Sequence, residues 1–196
     1  MFRMSKLKFY FFTLIGIFIP QVLMAHPHIW VYTNVMPVIE NGFIKSFKIH
    51  WNFDEVYSAT FIQEADTNFD GKIEESEVQH TIKTVFEDDP QSLYPFMYMH
   101  LNGQSQKFAL FNPKIWLSDD ETLNYSFEIQ FKEPVPVVGQ HDFGFFDAEF
   151  YVSFEQSYEM KLPKDTKCTY ELKENLNISI YDGLVNPETY KMNCES

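Results

Sequence analysis

The chain has 196 residues and a formal net charge of −13, with 28 acidic residues against 15 lysines and arginines, and Arg3 is its only arginine. Nucleic acid and anionic lipid surfaces are recognised through clustered Lys and Arg, so this composition argues against both as partners. Cations are the natural ligands of such a surface, and the many Phe and Tyr residues can fill the core of one domain.

Residues 1–25 have the pattern of a secretion signal. Three cations precede an apolar stretch from about Phe9 to Val22, with no acidic residue among them. Cleavage after Ala25 would leave His26 as the new amino terminus. An uncleaved membrane anchor is the alternative, but the apolar stretch is interrupted short of the roughly 20 residues that span a bilayer. We therefore expect an exported protein with a single domain over residues 26–196.

Residues 28–53 alternate in the manner of β-strands. One face of the first strand would carry Ile29, Val31, Thr33 and Val35, and the other face His28, Trp30, Tyr32 and Asn34. A turn signal follows at Glu40-Asn41-Gly42. This pattern predicts a β-hairpin at the start of the domain.

The apolar spacing changes to that of helices from Asp54 to about Glu87. Before an acidic segment the spaced residues are Val56, Tyr57, Thr60 and Phe61, and after it they are Val78, Ile82, Val85 and Phe86. The pattern predicts a helix-loop-helix inserted between strands at about residues 54–88.

The acidic segment from Asp66 to Glu77 satisfies every constrained position of the EF-hand calcium loop. The predicted ligands are the side chains of Asp66, Asn68, Asp70 and Glu77, the backbone carbonyl of Lys72, and Glu74 directly or through water. Gly71 permits the sharp turn that the loop requires. A single loop without a Met-rich helix favours a structural calcium site over a sensor. A loop that keeps this shape without binding an ion is the alternative.

Strand signals return after Asp88-Asp89-Pro90. The predicted strands cover residues 96–101, 107–111, 122–131 and 143–154. The element order predicts an α+β fold, with β-sandwich-like antiparallel sheets and one inserted EF-hand-type helix-loop-helix.

Cys168 and Cys194 are the only cysteines. Two well-separated cysteines in an exported chain predict one disulfide, which would tether the carboxy-terminal tail. Closing this loop would stabilise the fold by about 3.5 kcal/mol in the chain-entropy model.

Two histidines stand at the predicted mature terminus, His26 and His28, separated by Pro27. Imidazole suits zinc, copper and nickel. Proline has no amide proton to lose, which excludes the square-planar copper or nickel site that uses backbone amides. A tetrahedral site or a brace formed by the amine and ring of His26 remains, and a polar terminus with no ligand role is the alternative.

His141 and Asp147 are further candidates for a transition-metal site. His141 precedes the aromatic segment at residues 143–154, and Asp147 lies within it between Phe146 and Ala148. A carboxylate buried there without a partner would be costly, so Asp147 is expected to bind a metal or to accept hydrogen bonds.

Two motifs and the acidic loop together resemble the periplasmic zinc-uptake accessory family. The motifs are His26-Pro27-His28-Ile29-Trp30 and Trp51-Asn52-Phe53-Asp54-Glu55. The family is commonly paired with membrane permeases of the nickel/cobalt type, and the resemblance extends from His26 to about Phe154. It implies a periplasmic location and transition-metal delivery, with His26 and His28 as the residues that match the opening motif.

A late family motif of the type Tyr-Asp-Pro-x-Tyr/Phe is altered in this chain. It appears as Phe146-Asp147-Ala148-Glu149-Phe150, so Asp147 is retained while the proline and the leading tyrosine are absent.

The leading hypothesis is a periplasmic, non-enzymatic accessory protein that binds divalent metal. It would deliver zinc, or nickel or cobalt, to an inner-membrane permease and hold calcium structurally. One alternative is a copper-dependent redox enzyme that uses a His26 brace, which copper-dependent turnover would reveal. Another is a calcium-ordered β-module that binds protein or glycan through exposed aromatic residues.

Overall fold

The computed structural model describes residues 28–164 and 166–195, in which ten strands form two five-stranded sheets. The strands are β1 (Ile29–Glu40), β2 (Phe43–Phe53), β3 (Met97–Leu101), β4 (Gln104–Ser105), β5 (Phe108–Leu117), β6 (Leu123–Pro136), β7 (Gly139–Phe145), β8 (Val152–Gln156), β9 (Cys168–Glu174) and β10 (Glu188–Cys194). Sheet A has the order β5-β6-β2-β1-β8 and sheet B the order β4-β3-β7-β10-β9. The α+β, sandwich-like prediction is confirmed. The predicted signal segment lies outside the described residues.

The predicted opening hairpin is confirmed as β1 and β2. Its turn places Asn41 at φ 52° and Gly42 at φ 77°. Positive φ at both central residues matches the right-handed twist of the two strands, and Asn-Gly adopts it at low cost. Inward positions of β1 such as Val31 and Val35 are buried, while Trp30 and Tyr32 face outward.

The prediction of one strand over residues 143–154 is wrong. β7 ends at Phe145 in sheet B and β8 begins at Val152 in sheet A. The break occurs because the Asp147 carboxylate accepts hydrogen bonds from three backbone N–H groups of the connecting turn, in which Phe150 has a φ of 55°.

Sheet A is also not purely antiparallel, contrary to the prediction. β8 pairs in parallel with β1, from Ile29 beside Val152 to Thr33 beside Gln156. Because β8 arrives by a crossover from sheet B rather than by a hairpin, its direction is free to match that of β1.

The core lies between the two sheets and is rich in aromatic rings. Trp51 of β2, which is 2% exposed, packs edge-on against Phe127 of sheet A and Phe145 of sheet B, with ring centroids 4.9 and 5.7 Å apart. Phe47 similarly meets Phe143 across the interface at 4.4 Å. Large rings from both sheets therefore hold the sandwich together.

Two helices occupy the stretch predicted to be helical, α1 (Glu55–Ala65) and α2 (Glu75–Ile82), and a wider π-type turn (Lys83–Asp88) extends α2. Asp54 caps α1 by accepting hydrogen bonds from the N–H groups of Val56 and Tyr57. Phe86 anchors the far end, with its ring 5.7 Å from that of Tyr125 in β6. None of the helices in the described part of the chain has the length and apolar character needed to cross a membrane.

The predicted disulfide between Cys168 and Cys194 is confirmed. The two residues lie opposite each other where β9 pairs with β10, neither of which had been predicted as a strand. The bond therefore fastens an edge strand of sheet B to its neighbour.

Candidate metal sites

The segment predicted to bind calcium connects α1 to α2. Asp66 directly follows α1 and Glu77 lies in the first turn of α2, and these two carboxylate residues are only 9% and 6% exposed. Residues 66–77 contain five carboxylates and one lysine. Among the residues that the structure describes, neither Asp66 nor Glu77 forms an ion pair.

The side-chain oxygens of the loop accept hydrogen bonds from its own backbone. Asp66 accepts from the N–H groups of Asp70 and Gly71, at 3.1 and 2.8 Å. Asn68 Oδ1 accepts from Asp70 N–H at 2.9 Å, and Asp70 Oδ1 accepts from Lys72 N–H at 2.9 Å. The loop is therefore wound around the oxygens of the first three predicted ligand residues.

The turn of the loop uses the left-handed backbone region. Gly71 has a φ of 80°, which favours glycine because it has no Cβ. Phe69 also has a positive φ, 60°, and its ring is 86% exposed. A bulky residue in this conformation is strained, so the surrounding hydrogen bonds must hold it.

Glu77 joins the two ends of the loop. Its Oε2 accepts a hydrogen bond from Glu74 N–H at 3.0 Å, and its Oε1 accepts from the N–H and hydroxyl of Thr67 at 2.7 and 3.0 Å. The bond from the Glu74 backbone, supported by those from Thr67, holds the pKa of the Glu77 carboxyl below its ordinary value. Its charged form is thus favoured, as a calcium ligand requires. Glu74 and Lys72 have exposed side chains.

Within residues 28–164 and 166–195, no three His, Cys, Asp or Glu side chains are gathered in a group that could hold a metal ion. In residues 66–77 the carboxylates of Asp66, Asp70 and Glu77 accept hydrogen bonds from backbone N–H groups.

His28 and Asp147 both contact Tyr151. The backbone N–H of His28 donates to the carbonyl of Tyr151 at 2.9 Å, and the two rings lie 4.7 Å apart. Asp147 Oδ2 accepts from the N–H groups of Tyr151 and Val152 at 3.0 and 3.1 Å, and Oδ1 accepts from Glu149 at 3.1 Å. A carboxylate has about four lone-pair sites, so these three bonds leave one for another ligand. His26 lies outside the described residues.

His141 lies away from that turn, in β7 of sheet B. Four residues of extended chain separate it from Phe145, a distance of about 14 Å, and Asp147 lies beyond. His141 is 2% exposed, and its Nε2 bonds to the carbonyl of Val137 at 2.8 Å. Burial lowers the pKa of its imidazole, which favours the neutral form. Tyr151 thus links His28 and Asp147, whereas His141 contacts Val137 in another part of the fold.

The two sequence motifs meet in the structure, which the pattern alone did not predict. The backbone N–H of Trp30 donates to Asp54 Oδ2 at 2.8 Å, and the backbone N–H of Asp54 donates to the carbonyl of Trp30 at 3.0 Å. In the sequence, the alternation of residues 28–34 predicted that Trp30 lies on the strand face opposite Ile29. No sequence signal related it to Asp54.

A second polar cluster, on the outer face of sheet B, was not predicted. Asp142 Oδ2 accepts from Asn175 at 2.9 Å and pairs with the ammonium of Lys191. Asp142 Oδ1 is buried and has no hydrogen-bond partner in the described structure. These residues line or border a concavity of about 770 Å³ that also includes His100. A single Asp within an alternating strand carries no distinctive pattern, so sequence reasoning could not find it.

Comparison with known proteins establishes the family. Residues 11–181 match the family described as "Protein of unknown function (DUF1007)". The chain belongs to this family. An uncharacterized protein of Haemophilus influenzae is similar, with 37% identity over 49 residues, which are 25% of this chain and 24% of the relative. The match thus spans about a quarter of the relative's length. No solved structure matches the chain.

Proposed function

We propose that this protein is an exported, periplasmic accessory protein that binds divalent metal and delivers zinc, or nickel or cobalt, to an inner-membrane permease. The observation that carries the proposal is that His28 and Asp147 both contact Tyr151, which directly precedes β8, the strand paired with β1. The resemblance of the two motifs to the zinc-uptake accessory family, and the acidic composition, support the same conclusion.

The proposed zinc site requires His26. Structural zinc has about four ligands and catalytic zinc about three protein ligands. The described residues offer His28 and one remaining lone-pair site of Asp147 at this turn. The imidazole of His26, two residues before His28, is the nearest further nitrogen donor along the chain. His141, at the other end of β7, is not part of this proposed group.

Calcium is proposed to bind at residues 66–77. The donor set is entirely oxygen, which hard cations prefer. Asp66 and Glu77 are buried carboxylates in a segment with only one lysine, so a bound cation would offset their mutual repulsion. Calcium would take over oxygens that now accept backbone hydrogen bonds. Because α1 and α2 are attached to sheet A, the ion would stabilise the insertion rather than form a separate switch.

Calorimetric zinc titration of the protein beginning at His26 tests the delivery site. We expect uptake of about one zinc ion, with affinity that falls as the pH is lowered, because ligand imidazoles must be neutral. His28→Ala should weaken zinc binding by at least about tenfold, because loss of a group that merely supports a ligand already costs about that much. His80→Ala, which removes an exposed imidazole of α2, is the matched control and should leave the affinity unchanged.

Two results would contradict the proposed zinc site. One is zinc affinity in the His26→Ala, His28→Ala double variant equal to that of the parent. The other is equal weakening by His80→Ala, which would indicate non-specific binding to surface imidazoles. Calcium uptake should be the same in all of these variants, since the loop contains no nitrogen ligand.

A further inference from the structure

A concavity of about 470 Å³ lies on the outer face of sheet A, beside the start of α1. We name it the aromatic pocket and define it by Trp30, Tyr32, Asn52, Asp54, Glu55 and Thr122. None of the metal-binding roles proposed above uses it. It contains residues of both sequence motifs, which are distant along the chain and adjacent in the fold.

Two exposed aromatic rings form one wall of the aromatic pocket. Trp30 is 39% exposed and Tyr32 is 52% exposed. They are two residues apart on the same face of β1, so their Cα atoms lie about 7 Å apart. Burying two neighbouring rings of this size in a partner is favourable, so together they offer a contact surface that a single exposed ring does not.

The opposite wall is acidic and its backbone is rigidly placed. The paired hydrogen bonds between Trp30 and Asp54 hold this wall against β1, and Asp54 also caps α1. Glu55, the first residue of α1, is exposed. Within the described part of the chain, its carboxylate makes no hydrogen bond or ion pair. It is therefore available to a ligand.

The polar groups at the floor of the pocket present an acceptor. Asn52 Nδ2 donates to Thr122 Oγ1 and to Asn124 Oδ1, both at 3.1 Å. These two bonds orient the amide and leave Asn52 Oδ1 without a partner among the described residues. No residue that lines the pocket is Lys, Arg or His. The pocket thus combines aromatic faces, carboxylates and an amide oxygen with no cation.

We propose that the aromatic pocket binds a lysine or arginine side chain of a partner polypeptide. An ammonium or guanidinium group is attracted by the faces of Trp and Tyr rings within about 6 Å and is neutralised by a neighbouring carboxylate. Asn52 Oδ1 accepts one of its N–H donors. Anions are repelled by Asp54 and Glu55.

A neutral glycan is the competing ligand class. The position of Trp116 provides a way to distinguish a glycan from a cationic side chain. Trp116 is also exposed on the outer face of sheet A. It lies in the same cross-strand row as Tyr32, through Asn124 and Asn52. Three strand spacings place the two residues about 14 Å apart. An extended glycan would contact both rings, whereas one cationic side chain in the pocket reaches only Tyr32 and Trp30.

The proposal goes beyond metal delivery and does not depend on which metal is bound. Trp30 follows His28 by two residues, so a polypeptide held in the aromatic pocket would lie beside the proposed zinc site. This position suits a docking contact with the protein that receives the metal.

Tryptophan fluorescence and calorimetry with pentalysine test the proposal on the protein beginning at His26. Trp30→Ala should weaken pentalysine binding about fivefold, as expected for loss of a partly desolvated cation–π contact. Glu55→Gln should weaken it about threefold, as expected for an exposed charge pair. Glu55 is exposed, so Glu55→Gln should leave the melting temperature unchanged. The ring of Trp30 is only 39% exposed, so Trp30→Ala is compared with Trp116→Ala, which removes an equally exposed ring, at a temperature where both are folded.

Two control variants match these changes in chemistry. Trp116→Ala removes an exposed tryptophan from the same sheet face, and Glu64→Gln removes a charge from an exposed position of α1 beyond the pocket. Each should change pentalysine affinity by less than about twofold, since long-range screened charges contribute little.

Three outcomes would overturn the proposal. Failure of pentalysine to bind at low millimolar concentration is the first. The second is equal weakening by Glu55→Gln and Glu64→Gln together with no effect of Trp30→Ala. This result would show that pentalysine is attracted by the overall negative charge of the protein and not by the aromatic pocket. The third is binding of cellotetraose that is lost in both Trp30→Ala and Trp116→Ala, which would assign the face to glycans.

Discussion

The hydroxyl of Ser58 in α1 accepts a hydrogen bond of 2.9 Å from the backbone N–H of Leu123 in β6 and donates one of 2.6 Å to the carbonyl of Asp54. Ser58 is 1% exposed and Leu123 is fully buried. A single hydroxyl therefore connects the helical insertion to sheet A and satisfies a backbone donor that water cannot reach.

Ser58→Ala should destabilise the protein by about 1–3 kcal/mol, because the buried N–H of Leu123 loses its acceptor. Urea unfolding measures this loss. Thr60→Ala is the matched control, since Thr60 is exposed on the same helix and bonds only to the carbonyl of Val56. Equal stability of the two variants would show that the bond to Leu123 contributes nothing.

Calcium should raise the melting temperature of the protein, because a ligand bound only by the folded state stabilises it by mass action. A free calcium concentration about a hundred times Kd corresponds to a stabilisation of the folded state by about 2.7 kcal/mol. Glu77→Gln should remove most of that gain, since it loses bidentate coordination with little change of volume. Scanning calorimetry with and without calcium measures both.

The control for Glu77→Gln is Glu75→Gln. Glu75 is an exposed carboxylate in the same loop that bonds to Gln79 and is not a predicted ligand. Its replacement should leave the calcium-induced shift intact. Extracellular modules bind calcium at about 0.1–1 mM, so a titration that showed no calcium uptake up to several millimolar would contradict the calcium proposal.

Tyr98 should make the protein sensitive to alkaline pH. Burial, followed by the negative charge of Asp142, raises the pKa of Tyr98 from 10.0 to about 12. The folded-state pKa exceeds the unfolded one, so folding favours the protonated phenol. That contribution to stability is complete below about pH 10 and is lost as the pH rises through about 12.

Tyr98→Phe should therefore shift the midpoint of alkaline unfolding to higher pH. Burial also raises the pKa of Tyr125 and of Tyr190, so the transition should move without disappearing. Phenolate absorbance and circular dichroism follow it. Tyr158→Phe, at a position that is 73% exposed, should leave the midpoint unchanged. A midpoint that is the same in both variants would show that Tyr98 titrates normally.

Removal of the disulfide should cost about 3.5 kcal/mol in the chain-entropy model, given that Cys168 and Cys194 are 26 residues apart. Urea unfolding of the Cys168→Ser, Cys194→Ser variant measures the loss. Because the bond joins β9 to β10, amide exchange should rise first in β9, the edge strand. Unchanged protection of β9 would contradict that role.

Local signals explain which elements could be predicted. The Asn41-Gly42 turn specifies a tight hairpin by backbone conformation alone. Asp54 begins a helix because its carboxylate accepts hydrogen bonds from the N–H groups two and three residues later. Both signals depend on interactions between near neighbours, so they are present in the amino-acid sequence itself.

Interactions between distant residues explain the failures. The segment at residues 143–154 reads as one strand because aromatic residues recur along its whole length. Asp147 ends the strand because its carboxylate accepts hydrogen bonds from three N–H groups of the turn. A single Asp in the sequence does not predict such a turn. Which sheet each half joins depends on pairing with β1 and β10, partners that are remote along the chain.

By itself, the sequence determined the hairpin, the helical insertion and the disulfide partners. Each follows from local backbone chemistry or from the presence of only two cysteines. Only the tertiary structure decided that His28 and Asp147 both contact Tyr151, and that Trp30 and Asp54 line one pocket. Cross-strand register and sheet order set those distances, and both result from packing that forms only when the whole chain has folded.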